Sequence, residues 1–403
     1  MSMTDESWKW VSEHMASDPR QLWLKYGKTH ADEIVQVECR RRFGKKLEAT
    51  LREVPHWEFA SVLAGEQSTS DRLAAWHARL LPECGIVADL TAGLGIDVLH
   101  ASRVASKVYA VDIDPAKADA LRRNMAEAGA SNVEVCCDDC RRWLQHYDGP
   151  TLDTVFVDPA RRSADGGRVF ALSDWEPDIT AMLPLIRQKA RTMIVKMSPM
   201  LDISSVLESL PECVRLIVLG TPTECKELVA VVDFGLTQPA DRDRTVIDAV
   251  TIGADGTATE FRCTRAEEMV AEAIYGRPRP GDYVCEPYPA VMKAGAVRLV
   301  AERYGLQKLA ANTHVYFAPR PVAGFPGEQR RVEAVLPYAS KVIKRFRREY
   351  PRISVTTRNF GISADALRAK LGVADGGTLR LMAATDIASE RLLIVLLHSE
   401  ETE

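Results

Sequence analysis

Apolar residues recur along this chain in two rhythms. Over residues 8 to about 81 they fall three and four apart without alternation, as at Ile34, Val37, Cys39 and Phe43, which predicts a helical N-terminal region. Over residues 86 to 234 short apolar runs alternate with helical patterns, the signature of an α/β fold with a doubly wound, mostly parallel sheet. Residues 215 to 220 and 228 to 234 are separated by a loop short enough for an antiparallel hairpin at the end of that sheet. Residues 236 to 280 are polar and rich in Asp, Arg and Thr, and the Gly/Pro-rich stretch at 276 to 281 predicts a boundary. Beyond Tyr283, a helical pattern over 290 to 303 and a strand-like run over 313 to 317 predict a small α/β unit. The expected organisation is therefore 1–75 helical, 76–240 α/β, 241–330 a connecting segment with a small domain, and 331–403 a C-terminal domain.

Length and charge refine this picture. A chain of 403 residues exceeds what one core usually supports. Its net charge is -4, yet residues 341 to 370 carry nine Lys and Arg against two acids, a local +7 that leaves about -11 elsewhere. Basic charge interleaved with Phe346, Tyr350 and Phe360 is an electrostatic footprint for a phosphate backbone. A second basic run, Arg40-Arg41-Arg42 with Lys45 and Lys46, reads as a solvated helix face ahead of a nucleic-acid contact. No apolar stretch reaches the ~18 residues of a membrane span, and the first residues lack a secretory pattern, so a cytoplasmic protein is expected. Nine scattered cysteines do not form a disulfide framework. Cys137-x-x-Cys140 lacks a second pair at zinc spacing, so no metal is expected.

The chemistry concentrates where three apolar runs each end on an aspartate: Asp89, Asp112 and Asp158. Parallel strands bring all three to one sheet edge, where open α/β folds keep their ligand crevice. Gly93 and Gly95 follow the first strand and let the backbone turn sharply and approach a ligand without a Cβ. Asp112 stands about twenty residues on, the place from which a carboxylate meets both ribose hydroxyls. The turn is not the G-x-x-x-x-G-K-[ST] phosphate cradle, which excludes an ATPase of that type. Asp89 beside it would repel a pyrophosphate but suits a ligand with a cationic amino group.

With these residues in place, the chain resembles the class I S-adenosylmethionine-dependent methyltransferases. Asp89-x-x-x-Gly93-x-Gly95 matches their first motif, Asp112 their ribose acid, Asp138-Asp139 the position near the adenine, and Asp158-Pro159-Ala160-Arg161 their fourth motif. The resemblance implies a seven-stranded Rossmann-like sheet, S-adenosyl-L-methionine as cofactor, and cofactor contacts from Asp89, Thr91, Gly93, Gly95, Asp112, Ile113, Asp138 and Asp139. More narrowly, the stretches from Asp89 to Asp97, Asp158 to Arg162, Lys196 to Asp202, Tyr283 to Gly295 and Thr357 to Phe360 resemble a bacterial methyltransferase family. Its members carry a small ferredoxin-like segment and a THUMP-like C-terminal domain.

The fourth motif discriminates among chemistries. Asp158, with the carbonyl of Pro159, is the expected catalytic pair, accepting hydrogen bonds from an exocyclic amine. Enzymes acting on purine nitrogens commonly have a second proline and an aromatic after that acid, where this chain has Ala160 and Arg161. Carbon-5 uridine enzymes need a cysteine nucleophile after the next strand, and this chain offers Lys196-Met197-Ser198-Pro199. Arg161, Arg162 and Lys196 are candidates to grip a phosphate, or else to neutralise the crevice aspartates. Lys344, Arg345, Arg347, Arg348 and Arg358 are the candidate RNA contacts, and residues 66 to 70 stand where such enzymes often place a lid or a contact to the methionine carboxylate. The expected function is N-methylation of a purine in structured RNA. The alternatives are a small-molecule or protein methyltransferase, and an RNA-binding protein with a degenerate cofactor site.

Overall fold

The computed structural model describes residues 3–161 and 175–397. The chain divides into two compact units, residues 1–215 with 228–240, and residues 216–227 with 241–403.

The first half of the chain supplies β1 (Ile86–Asp89), β2 (Lys107–Asp112), β3 (Val133–Cys137) and β4 (Leu152–Val157). A two-stranded antiparallel pair, β5 (Ala160–Arg161) with β6 (Trp175–Glu176), precedes β7 (Ala190–Met197), β8 (Cys213–Gly220) and β9 (Cys225–Asp233). With β10 (Val246–Ile252) and β11 (Ala258–Cys263), the sheet runs β11-β10-β8-β9-β7-β4-β1-β2-β3. Strands β3, β2, β1, β4 and β7 are parallel, and β9 runs antiparallel to β7. Because β1 lies between β2 and β4, the strand order reverses there and opens a crevice at the carboxyl ends of the strands.

Two expectations change. The seven strands from β8 to β3 are present, but β10 and β11 extend the sheet to nine. They come from the polar stretch expected to be a connection. On β11 only Phe261 and Cys263 are buried, while Thr259 and Glu260 before them and Arg262 between them are not, an alternation that polar composition conceals.

The N-terminal region is helical, as its spacing predicts, and Val11, Leu22, Ile34 and Val37 form a small core of its own. Cys39, Phe43, Leu47, Trp57 and Phe59 pack into one cluster with Val87, Leu99, Val108 and Leu121 of the sheet and its helices. The expected boundary at residue 75 falls inside the helix Asp71–Ala78. Arg40 and Lys46 of the basic run are structural ties: Arg40 donates to the carbonyls of Pro55 and Trp57, and Lys46 to those of Gly65 and Glu66.

The second unit holds an eight-stranded sheet. Its strands are β12 (Ile274–Tyr275), β13 (Tyr283–Pro287), β14 (Gln307–Ala310), β15 (Thr313–Ala318), β16 (Gly327–Pro337), β17 (Ser354–Arg358), β18 (Leu379–Thr385) and β19 (Arg391–Leu397). Their order is β12-β14-β15-β13-β16-β19-β18-β17. The helical pattern over 290 to 303 becomes two helices, Pro289–Lys293 and Leu299–Arg303, because Gly295 between them is left-handed at φ 80°. Strand β16 pairs with β13 through residues 327 to 331 and with β19 through 332 to 337, so the expected boundary at 330/331 lies within one continuous strand. Among the described residues, no helix is long and apolar enough to cross a membrane.

Candidate active site

The turn after β1 is built by backbone geometry. Gly93 (φ 55°) and Gly95 (φ 85°) are both left-handed, and Gly95 caps the helix Ile96–Ser102. A Cβ on Gly95 would lie 2.1 Å from Leu121 Cδ1, so this glycine also sets how closely the helix Pro115–Glu127 approaches. A Cβ on Gly93 would have only the Thr91 carbonyl oxygen within 4 Å, at 3.8 Å. The Gly93 amide donates to Asp112 Oδ2 at 2.8 Å, and the Asp114 amide to Asp112 Oδ1 at 2.9 Å. Asp112 is thus buried and oriented by one backbone amide on each oxygen, while Ile113 beside it is 69% exposed.

Asp89 accepts from the Thr91 amide at 2.9 Å, and the Thr91 hydroxyl in turn accepts from the Asp158 amide at 2.7 Å. The ends of β1 and β4 are thereby stitched together. Burial, with Asp97 and Asp158 close by, pushes the Asp89 carboxyl up to about 8 against its hydrogen bond from Thr91.

Asp158 and Lys196 form the centre of the crevice. Lys196 Nζ lies 2.6 Å from Asp158 Oδ2, with the lysine side chain 11% and the aspartate side chain 35% exposed. The same ammonium donates to Thr69 Oγ1 at 2.8 Å. Thr69 donates to Asp97 Oδ2 at 2.5 Å, and His77 Nδ1 lies 2.8 Å from Asp97 Oδ1. Burial alone would raise the Asp97 carboxyl, but His77, through its charge and its hydrogen bond, together with Lys196 and Thr69, holds it well below the usual carboxylate range.

The remaining expected site residues divide. Lys196 is turned inward on Asp158 and Thr69, the geometry of the neutralising alternative. Asp139 caps the helix Cys140–His146 through the Arg142 amide at 2.9 Å. Asp138 Oδ1 accepts from Arg142 Nε at 2.5 Å and from the Asp139 amide. The side chains of both aspartates have local partners, and the Asp138 amide donates to the Asp112 carbonyl at 3.2 Å. Cys137 is exposed while Cys140 is buried against Met182, its thiol pushed up to about 11 by burial. Arg161 lies on β5, and Arg162 lies outside the described residues.

In the second unit, the helix Ser340–Glu349 buries Val342 and Phe346 and exposes Lys341, Lys344, Arg345, Arg347 and Arg348. Phe346 and Phe360 belong to a core cluster with Leu367 and Leu381, and Tyr350 packs on it. They are core side chains and not stacking surfaces between the charges. Arg358 is paired with Glu286 at 2.9 Å, with 41% of its side chain still exposed.

Sequence patterns assign no role to His77 or Asp97, and give Thr69 one only as part of the stretch 66 to 70. Asp97 has a signal, standing one residue into the helix that follows the glycine turn. That stretch supplies the buried Thr69 hydroxyl and Ser70, the cap of the next helix. His77 has no local signature, because its partner is twenty residues away on another helix.

Comparison with known proteins agrees with this architecture. Residues 76–166 match the family described as conserved hypothetical protein 95, residues 283–326 a ferredoxin-like domain, and residues 327–397 a THUMP domain-like family. An uncharacterized S-adenosylmethionine-dependent methyltransferase of Mycobacterium tuberculosis is 28% identical over 265 residues, 64% of this chain. The chain spans 64% of the length of that relative. An uncharacterized protein of Methanocaldococcus jannaschii is 32% identical over 85 residues, 20% of this chain and 31% of that protein. A crystal structure from Porphyromonas gingivalis W83, provisionally named as a methyltransferase, superposes with a TM-score of 0.88 at 29% identity, covering 98% of each chain. With its strand order and its glycine turn, the chain has the class I methyltransferase fold, followed by residues that match a ferredoxin-like domain and a THUMP domain-like family.

Proposed function

We propose that the chain is an S-adenosylmethionine-dependent methyltransferase that N-methylates a purine base in structured RNA, either rRNA or tRNA. The observation that carries this proposal is the meeting of Asp89, Asp112 and Asp158 at one sheet edge, around a left-handed glycine turn tied to Asp112. The residues present fit the cofactor. Asp112 is held by backbone amides as a preset acceptor for ribose hydroxyls, and exposed Ile113 offers apolar surface to an adenine. Gly93 leaves room for close backbone approach, and Asp89 with Thr91 suits a cationic amino end. Asp138 and Asp139 contribute to the shape of the adenine end through the turn they cap.

When bound, S-adenosylmethionine supplies a methyl carbon already activated by its sulfonium. The protein's task is then to hold the nucleophile in line and exclude water. Asp158 and the Pro159 carbonyl accept N–H bonds from an exocyclic amine and so orient its lone pair. Ala160 provides no stacking ring, so the base is held by other side chains, and Arg161 and Arg162, next in the sequence, are the candidate phosphate contacts. The exposed cations of the helix Ser340–Glu349, within the THUMP-like match, support RNA as the substrate.

Transfer of tritium from labelled cofactor into total RNA of a strain lacking the protein, followed by nucleoside identification, tests the proposal. An N-methylated purine is the expected product. A 5-methylpyrimidine, or no label in RNA, overturns it.

A further inference from the structure

The chain of contacts behind Asp158 has a direction. Thr69 has one hydroxyl proton, and the 2.5 Å contact with Asp97 Oδ2 takes it, because Asp97 is held as a carboxylate that only accepts. The Thr69 oxygen must therefore accept from Lys196 Nζ, 2.8 Å away. Lys196 reaches Asp158 Oδ2 at 2.6 Å with the same ammonium. His77 Nδ1 closes the far end on Asp97 Oδ1 at 2.8 Å, and its side chain is only 3% exposed. The order from the interior outward is thus His77, Asp97, Thr69, Lys196, Asp158. Four of these five lie behind the crevice, and Asp158 alone keeps a third of its side chain open.

The five residues come from separate parts of the fold: residue 69 before the helix Asp71–Ala78, His77 within it, Asp97 in the helix Ile96–Ser102, Asp158 after β4 and Lys196 on β7. A lysine with two fixed acceptors on this scaffold has lost the freedom that makes lysine a poor positioning group at a surface. A buried polar network whose members satisfy one another holds a single geometry.

We propose that Lys196, held by Thr69 and through it by the Asp97 and His77 pair, is the positioning residue of this site and fixes the orientation in which the Asp158 carboxylate meets the substrate amine. This proposal rests on the methyltransferase function proposed above. Lys196 itself touches no substrate. Its effect on the reacting amine passes through Asp158, so disturbing its anchor lowers turnover far more than binding. Thr69 is the link to cut, since it carries no charge and meets neither Asp158 nor the glycine turn.

The test is steady-state methyl transfer by the full-length protein to RNA from the strain lacking it, with cofactor binding followed by calorimetry. Thr69→Val keeps the size of the side chain and removes the hydroxyl. It should lower kcat tenfold or more, with the RNA KM and the cofactor Kd within twofold of wild type. Thr69→Ser, which restores the hydroxyl, should return kcat to within about threefold. Should Thr69→Val fail to fold, Thr69→Ala is read in the same way against Thr69→Ser. Wild-type kcat in the hydroxyl-less variant, a loss expressed in cofactor Kd alone, or failure of Thr69→Ser to restore turnover overturns the positioning role. If the wild-type protein itself transfers nothing to RNA, it is the functional proposal that fails, an outcome distinct from a wild type that is active and indifferent to residue 69.

Discussion

The Gly93 amide donates to Asp112 Oδ2 at 2.8 Å, so the turn that ends β1 and the acid that ends β2 are one structural piece. A carboxylate expected to serve a ligand also holds the loop that would cradle that ligand. Asp112→Ala should therefore weaken cofactor affinity tenfold or more, and also cost about 1–3 kcal/mol of stability through the buried amides left unpaired. Calorimetric titration and thermal unfolding measure the two effects. Loss of affinity without loss of stability would show that the turn stands without Asp112.

The two glycines should differ in what they tolerate. Gly93→Ala meets a left-handed φ but nearly open space, a strain of about 1–2 kcal/mol. Gly95→Ala adds to a similar strain a Cβ driven against Leu121, so its melting temperature should fall clearly further. Equal melting temperatures for the two variants would remove the packing role of Gly95.

Asp89 predicts an unusual pH dependence. Its folded carboxyl is raised from the ordinary value of 3.8 to about 8, so the folded state prefers the protonated acid. That preference is fully present below the unfolded value and is lost as pH rises from about 4 to about 8. Asp89→Asn should match wild type in stability near pH 4 and exceed it by a growing margin towards pH 8. Thermal unfolding across that range checks the sign. A variant less stable at pH 8 than at pH 4, relative to wild type, contradicts it.

Asp97 has the opposite sign. Its carboxyl is held low, so its contribution is present above the unfolded value and lost as pH falls below that value. Asp97→Asn should be destabilised at neutral pH, with the difference from wild type shrinking in acid when both are followed by thermal unfolding.

For RNA, the test must spare the sheet. Removing residues 331–403 would cut β16 in two and take away β19, its partner, so the deletion would report on folding. Lys344→Glu with Arg347→Glu and Arg348→Glu changes exposed side chains only. RNA affinity should drop, and the slope of affinity against salt should flatten by about one for each phosphate that is no longer neutralised. Unchanged affinity would remove this helix from the RNA surface.

The periodicities of residues 8 to 81 and 86 to 234 make the helical region and the parallel sheet legible, because local spacing reports which face is buried. The strand-end aspartates are legible for the same reason. Strands β10 and β11 are not, since an edge hairpin with one polar face looks like a linker in composition. The RNA footprint is half legible: its charges are exposed, but Phe346 and Phe360 are core residues, and alternating charge with aromatics is also what an amphipathic helix over a core produces. The network behind Asp158 is hidden because its contacts span 20 to 127 positions and depend on tertiary packing alone.

Strand β16 begins where the ferredoxin-like match ends and lies within the THUMP-like match, yet it is hydrogen-bonded to β13 of the former in its first half and to β19 of the latter in its second. A strand cannot be handed over in part. Separating the two segments at residue 327 would leave β13 with a bare ladder of amides on one side and β16 with half its length unpaired, so neither fragment has a closed edge of its own. The two matches are thus one structural piece, which would be expected to fold only when both are present.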